Sequence, residues 1–220
     1  MFFSLFVVEK EITKFMKIVV VFPTSTEAQF FSHLRAATEQ VIVEIGGVGL
    51  SAAAYSTTKI IAKHQPDWLI MAGIAGVYSH SAFAVGDVVL VSSECESDLG
   101  FFTPSGFTHL ADLKLNMDFS IAKEYVCPHL PAESILPVAK SNSMNAAMAP
   151  FVETAGIDIE NMEGAAFFRV CLAEQQNFLE VRSISNLVKI CDDEWDMEGS
   201  IRALTAGLHK VIDYLLASKE

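Results

Sequence analysis

Short apolar runs rich in β-branched residues alternate along the chain with longer segments whose apolar positions fall at helical spacing. This is the pattern of an α/β domain on a largely parallel sheet. The short runs predict strands at residues 18–22, 41–45, 68–72, 87–92, 135–139 and 178–184, and the longer segments predict helices at 27–34, 51–63, 113–125, 161–175 and 199–217. The last is amphipathic over 201–216 and is expected to pack on the sheet. No internal repeat, low-complexity tract or linker interrupts the alternation. Residues 95–108, CESDLGFFTPSGFT, break it with Gly, Pro and three phenylalanines. They predict a loop that either lies over a site or caps the core with its aromatics.

The opening residues, MFFSLFVVEKEITKF, lack the basic start and small-residue cleavage site of a signal peptide. The run MKIVVVF from Met16 reads as the natural start of one domain, 16–220, with 1–15 as an upstream extension. Fifteen basic against 27 acidic side chains, a net charge of -12, argue against a nucleic-acid partner and against an anionic membrane surface. At 51% hydrophobic and 19% charged, the chain has the apolar material for a core, which excludes general disorder. A mean hydropathy of +0.37 raises the membrane question. The charge-free run 68–86 contains Gly73, Gly76, Tyr78, Ser79, His80 and Ser81, so it reads as buried strand plus loop and no membrane partner is expected. Cys95, Cys127, Cys171 and Cys191 form no CxxC pair. They predict reduced thiols in a cytoplasmic protein, with neither metal nor organic cofactor.

Four constellations carry candidate chemistry. Pro23-Thr24-Ser25-Thr26-Glu27 follows the first strand, where Thr26 is a candidate helix cap and Glu27 lies in the first turn. Gly46-Gly47-Val48-Gly49 and Gly73-Ile74-Ala75-Gly76 follow the second and third strands as expected turns, facing one crevice with backbone N–H groups. Neither matches a dinucleotide fingerprint or a P-loop. Glu160-Asn161-Met162-Glu163-Gly164-Ala165-Ala166 opens a predicted helix, where an isolated Glu163 reads equally as a charge on the helix dipole. Arg182-Ser183-Ile184-Ser185-Asn186 ends a strand, where a buried structural network is the alternative to a binding role.

In this order, with Val85-Gly86-Asp87 after the second glycine pair, these motifs resemble the nucleoside phosphorylase and nucleosidase superfamily over residues 16–220. The resemblance implies a three-layer α/β/α single domain around a twisted mixed β-sheet, a small-molecule nucleoside as partner, and a homo-oligomer, dimer or larger. It also implies cleavage of an N-glycosidic bond. Arg35 is the only arginine before Arg169, so a phosphate clamp is hard to assemble and water is the expected nucleophile.

Within the superfamily, Thr24-x-x-Glu27, Gly73-Ile74-Ala75-Gly76, Asp98-Leu99-Gly100, the Asn161–Ala166 box and Ser185-Asn186 resemble the futalosine hydrolases. These release hypoxanthine from a nucleoside with a benzoate-type 5′ extension on a route to menaquinone. Methylthioadenosine/S-adenosylhomocysteine nucleosidases carry Asp where this chain has Asn186. Asn is no acid, but its NH2 can donate to a 6-oxo group while its carbonyl accepts from N7–H.

The resemblance assigns Glu27 to deprotonating the water, Glu163 to the ribose hydroxyls and Asn186 to the base. Thr24, Gly76, Asn161, Met162 and Arg182 are substrate-binding candidates. Phe101 and Phe102, with Phe107, are candidates to cover the purine or the 5′ arm, core packing being the equal alternative. The alternatives that stay open are an adenine-releasing nucleosidase, including one acting on aminodeoxyfutalosine, a purine nucleoside phosphorylase, and a non-catalytic nucleoside-binding protein.

Overall fold

A computed structural model of the chain describes residues 15–35, 41–113, 121–189 and 195–218. Strand β1, Ile18–Phe22, is IVVVF and wholly buried, as a strand with neighbours on both edges and helices on both faces must be. It pairs in parallel with β2, Val41–Ile45, and with β3, Trp68–Val77. Between them run α1, Ser25–Arg35, and α2, Leu50–His64.

The sheet then closes on itself. On one edge β3 pairs in parallel with β10, Phe178–Leu187, and on the other antiparallel with β9, Ile159–Asn161. Strand β4, Val88–Glu96, runs antiparallel to β10 and parallel to β8, Val138–Ser143, which pairs in parallel with β9. The mixed sheet expected from the resemblance is therefore a closed ring of five strands extended by β1 and β2. Helix α3, Gly164–Ala173, packs on α2 and against β4 and β8. Helix α4, Met197–Ala217, packs on α1 and against β10 and β3. Asp196 caps α4 by accepting from the Gly199 N–H at 2.9 Å, and Leu204, Leu208, Val211 and Ile212 are fully buried, so the amphipathic tail packs on the sheet as expected.

Several elements differ from the expected ones for identifiable reasons. Gly73 to Gly76 make no turn: β3 runs straight through them, and Gly73 serves close approach instead, since a Cβ there would stand 2.5 Å from Arg182 Nη1 and 3.0 Å from Glu27 Oε1. The true turn is at Gly47 and Gly49, with φ of +85° and +93°. Asn161, the expected start of a helix, is instead the last residue of β9, and α3 begins only at Gly164. The strand expected at 135–139 begins only after Pro137, which has no N–H for a ladder, and continues to Ser143.

The expected loop at 95–108 is the end of β4 followed by a hairpin of β5, Gly100–Thr103, and β6, Gly106–His109. Of the helix expected at 113–125, residues 114–120 lie outside the described residues, and its last residue belongs to β7, Tyr125–Val126, on the edge of β4. The charge-free run 68–86 is β3 plus loop, and among the described residues no helix is long and apolar enough to cross a membrane. Cys95, Cys127 and Cys171 are free thiols, and Cys191 lies outside the described residues.

Candidate active site

The first turn of α1 is set by a threonine and a glutamate three residues apart. Thr24, not Thr26, caps the helix: its Oγ accepts from the Glu27 N–H at 3.2 Å and donates to Glu27 Oε2 at 2.6 Å. Glu27 Oε1 accepts from the Ile74 N–H at 3.1 Å, so two donors, the Thr24 hydroxyl and a main-chain N–H of β3, hold one buried carboxylate. Burial raises its pKa above the ordinary carboxylate range, while the Thr24 hydroxyl, the Ile74 N–H and the Arg182 charge pull the other way.

Glu163 stands at the N-terminus of α3, yet its side chain does not cap that helix. It accepts instead from the Gly49 N–H at 3.2 Å and from Arg182 Nη1 at 3.2 Å. The cap is Asn161, whose Oδ1 accepts from the Glu163 and Gly164 N–H groups at 2.8 and 2.7 Å. A charge resting on the helix dipole is thus not what Glu163 supplies. It is aimed across the cavity mouth toward the Gly47–Gly49 turn.

Glu27, Glu163, Asn186, Thr24, Gly76, Met162 and Asn161 all line one cavity of about 240 Å³. Asn186 reaches it beside Gly76, where a Cβ would meet Asn186 Nδ2 at 3.3 Å. Its Oδ1 accepts from Ser185 Oγ at 2.9 Å, and its Nδ2 makes only a long bond of 3.4 Å to Leu187 O. The carboxamide is held by one firm bond and keeps a donor for a ligand.

Two expectations need correction. Arg182 and Asn161 are not free to bind substrate. Arg182 is completely buried and absent from the cavity wall, donating to Glu180 Oε1 at 2.7 Å, Ile74 O at 3.1 Å and Glu163. Asn161 touches the cavity but spends its carboxamide on α3, on Arg182 and, through Nδ2, on Glu94 Oε1 at 2.6 Å. Phe101 and Phe102 do not reach the cavity at all. They belong to the β5–β6 hairpin, where Phe102 packs on Phe107 and Phe151 with ring centroids 5.6 and 5.1 Å apart.

Behind the cavity lies a carboxyl pair that the sequence reading missed. Glu94 and Glu180 are both fully buried, and Glu94 is pushed well above the usual carboxylate range by burial and by the charge on Glu180. Glu180 Oε2 has no N–H partner among the described residues, and a protonated Glu94 is the donor within reach. Glu160 and Val48 stand inside the candidate motifs but received no role of their own there, and the apolar walls Ala147, Met148, Trp195 and Met197 were missed. Nothing in their spacing marks them, since they come from β9, the start of α4 and three separate connections brought together only by sheet closure.

A family model described as the phosphorylase superfamily matches residues 8–130. The chain belongs to that superfamily. The matched part includes Thr24, Glu27 and Gly76, while Glu163 and Asn186 lie beyond it. The futalosine hydrolase of Thermus thermophilus is 28% identical over 180 residues, covering 76% of this chain and 78% of that protein. A 5′-methylthioadenosine/S-adenosylhomocysteine nucleosidase of Hydrogenovibrio crunogenus is 28% identical over 168 residues, covering 67% and 68%. Among solved structures, the futalosine hydrolase of Helicobacter pylori superposes with a TM-score of 0.71 at 17% identity, over 90% of this chain and 98% of that one. These relatives carry the names of hydrolases and nucleosidases, which supports an enzyme acting on N-glycosyl bonds, and the shared superfamily accounts for the α/β/α architecture.

Proposed function

We propose that this protein is a nucleosidase that hydrolyses the N-glycosidic bond of a 6-oxopurine nucleoside, with futalosine as substrate and hypoxanthine as leaving base. The observation that carries the reading is a carboxamide, Asn186, in the same cavity as two buried carboxylates, Glu27 and Glu163. Water attacks the anomeric carbon, Glu27 takes its proton, and the bond to the purine breaks with its electron pair leaving on the base. Glu163 accepts from ribose hydroxyls and places negative charge near the oxocarbenium-like transition state. Asn186 donates to O6 and accepts from N7–H, the proton on N7 coming from solvent.

Hydrolysis rather than phosphorolysis is supported by the wall itself. None of the described residues lining the cavity is a lysine or arginine. Arg182, the cation that pairs with Glu163, is also committed to Glu180. Val48 and Trp195, 53% and 46% exposed, leave the rim open for a 5′ extension.

The test is base release in phosphate-free buffer from futalosine, its 6-amino analogue, methylthioadenosine, S-adenosylhomocysteine and inosine. Hypoxanthine from futalosine is expected. Adenine release would favour the methylthioadenosine/S-adenosylhomocysteine reading, which the Hydrogenovibrio relative keeps in play, and silence until phosphate is added would overturn hydrolysis. In the same assay Asn186→Asp is expected to shift the kcat/KM ratio toward 6-amino substrates by roughly tenfold or more, because a carboxyl can donate to N7 and accept from a 6-amino group. An unchanged ratio would remove Asn186 from base recognition.

A further inference from the structure

Glu94 on β4 and Glu180 on β10 are fully buried, and neither takes part in the cleavage step as drawn above. The two carboxyls converge on Gly164, the first residue of α3, where a Cβ would overlap Glu94 and stand 2.7 Å from Glu180 Oε1. Glu94 Oε1 accepts from Asn161 Nδ2 at 2.6 Å and its Oε2 from Ser143 Oγ at 2.7 Å. Glu180 Oε1 accepts from Arg182 Nε at 2.7 Å, while its Oε2 has no hydrogen-bond partner among the described residues unless Glu94 is protonated. Adjoining carboxylates out of water repel, and one proton between them turns the repulsion into a hydrogen bond. Burial raises both groups, Glu94 the further, because Arg182 bonds Glu180 and the Glu180 charge faces Glu94.

With one proton the pair carries a single negative charge, which offsets the single positive charge of Arg182. The guanidinium holds its partners unequally, with Nε 2.7 Å from Glu180 Oε1 and Nη1 3.2 Å from Glu163 Oε2. Glu163 is then the residual charge of the cluster, and of these groups it is the one that lines the cavity. Tyr78 and Cys95 beside Glu94, and Cys127 and Cys171 beside Glu180, are kept protonated by burial and add no charge. Were the pair neutral, Glu163 would be the sole counter-charge of Arg182, and that attraction would compete with hydrogen bonds to a substrate.

We infer that Glu94 and Glu180 are positioning residues that share one proton and together balance Arg182, so that Glu163 keeps its own charge for the substrate. This rests on the nucleosidase reading only for what Glu163 does at the ribose. Glu94→Gln leaves Glu180 as the carboxylate. Glu180→Gln removes the charge that keeps the proton on Glu94, so Glu94 ionises in its stead. The new amide still accepts from Arg182 Nε through its oxygen and donates to Glu94 through its NH2. Either single variant therefore keeps one negative charge, and only the double variant removes it.

The experiment is infrared difference spectroscopy at neutral pH between the wild type and each glutamine variant, in which all other carboxyls cancel. A carboxylic-acid carbonyl band of the wild type is expected to disappear in both single variants. A band that survives in Glu180→Gln would mean that Glu94 is neutral by burial alone, and no band lost in Glu94→Gln would mean that no proton is shared; either overturns the inference. A wild-type spectrum without any carboxylic-acid band overturns it whether or not the variants fold. In turnover, the loss in the double variant is expected to exceed the product of the two single losses about tenfold, with KM changing far less than kcat. Losses that simply multiply would make the two carboxyls independent structural groups and overturn the positioning role. The spectra need no substrate, so failure of the nucleosidase reading shows in the nucleoside assay and not in them.

Discussion

Glu27→Gln is expected to lower turnover roughly 10²- to 10⁴-fold while leaving substrate affinity within a few-fold. The amide keeps the size of the carboxylate: its oxygen still accepts from the Ile74 N–H, while its NH2 donates to Thr24 Oγ in place of the bond that oxygen now donates. What it loses is the ability to take a proton from water. Single-turnover measurement of base release separates this from a binding defect. Intact turnover in Glu27→Gln would show that the proton goes elsewhere.

The same residue sets a pH dependence with a definite sign. A general base works only when ionised, and burial raises the pKa of Glu27 above the ordinary carboxylate range. The acidic limb of kcat/KM should therefore lie above that range, the rate falling as pH drops through it. The Thr24 hydroxyl opposes the shift by donating to the ionised form. Thr24→Val should move the limb further up, and a limb at the position of a solvated glutamate would contradict the assignment.

How far the sequence carries depends on whether a feature is local or made by closure of the sheet. The pairing of Thr24 with Glu27 is a three-residue spacing at a helix start, and it is readable because both partners sit in one turn. The buried strand at 18–22 and the amphipathic helix over 201–216 are readable for the same reason: periodicity is local. Gly73-Ile74-Ala75-Gly76 misleads because glycines usually mark turns, whereas here they let Arg182 and Glu27 approach a continuous strand. Asn161 looks like a site residue because it adjoins Glu163, but its carboxamide caps α3 and ties down Arg182. Glu160 receives no role from the sequence because it stands just before a helix expected to begin at Asn161, and only a strand alternates two neighbouring polar side chains between a structural network and a cavity. Glu94 and Glu180 are far apart in sequence, and no spacing rule joins them.

Arg182→Met is expected to cost about 3–5 kcal/mol of stability. For a domain of this size that is a fall of roughly 6–20 °C in Tm. The guanidinium is the one cation among the described groups of a buried cluster containing Glu163, Glu180 and Glu94, with its Nε on Glu180 at 2.7 Å and Nη1 on Glu163 at 3.2 Å. Removing it leaves buried carboxylates without a counter-charge, which costs far more than the pair itself contributes over an apolar replacement. Arg182→Met combined with Glu180→Leu should therefore recover much of the lost Tm, since it removes a stranded charge together with its partner. Turnover should not recover with it, because Glu163 remains without the group that aims it at the cavity. Thermal unfolding and turnover, measured on the single and double variants, thus separate the two roles. Recovery of both by the double variant would make Arg182 a purely structural charge, and recovery of Tm alone identifies it as the residue that positions Glu163.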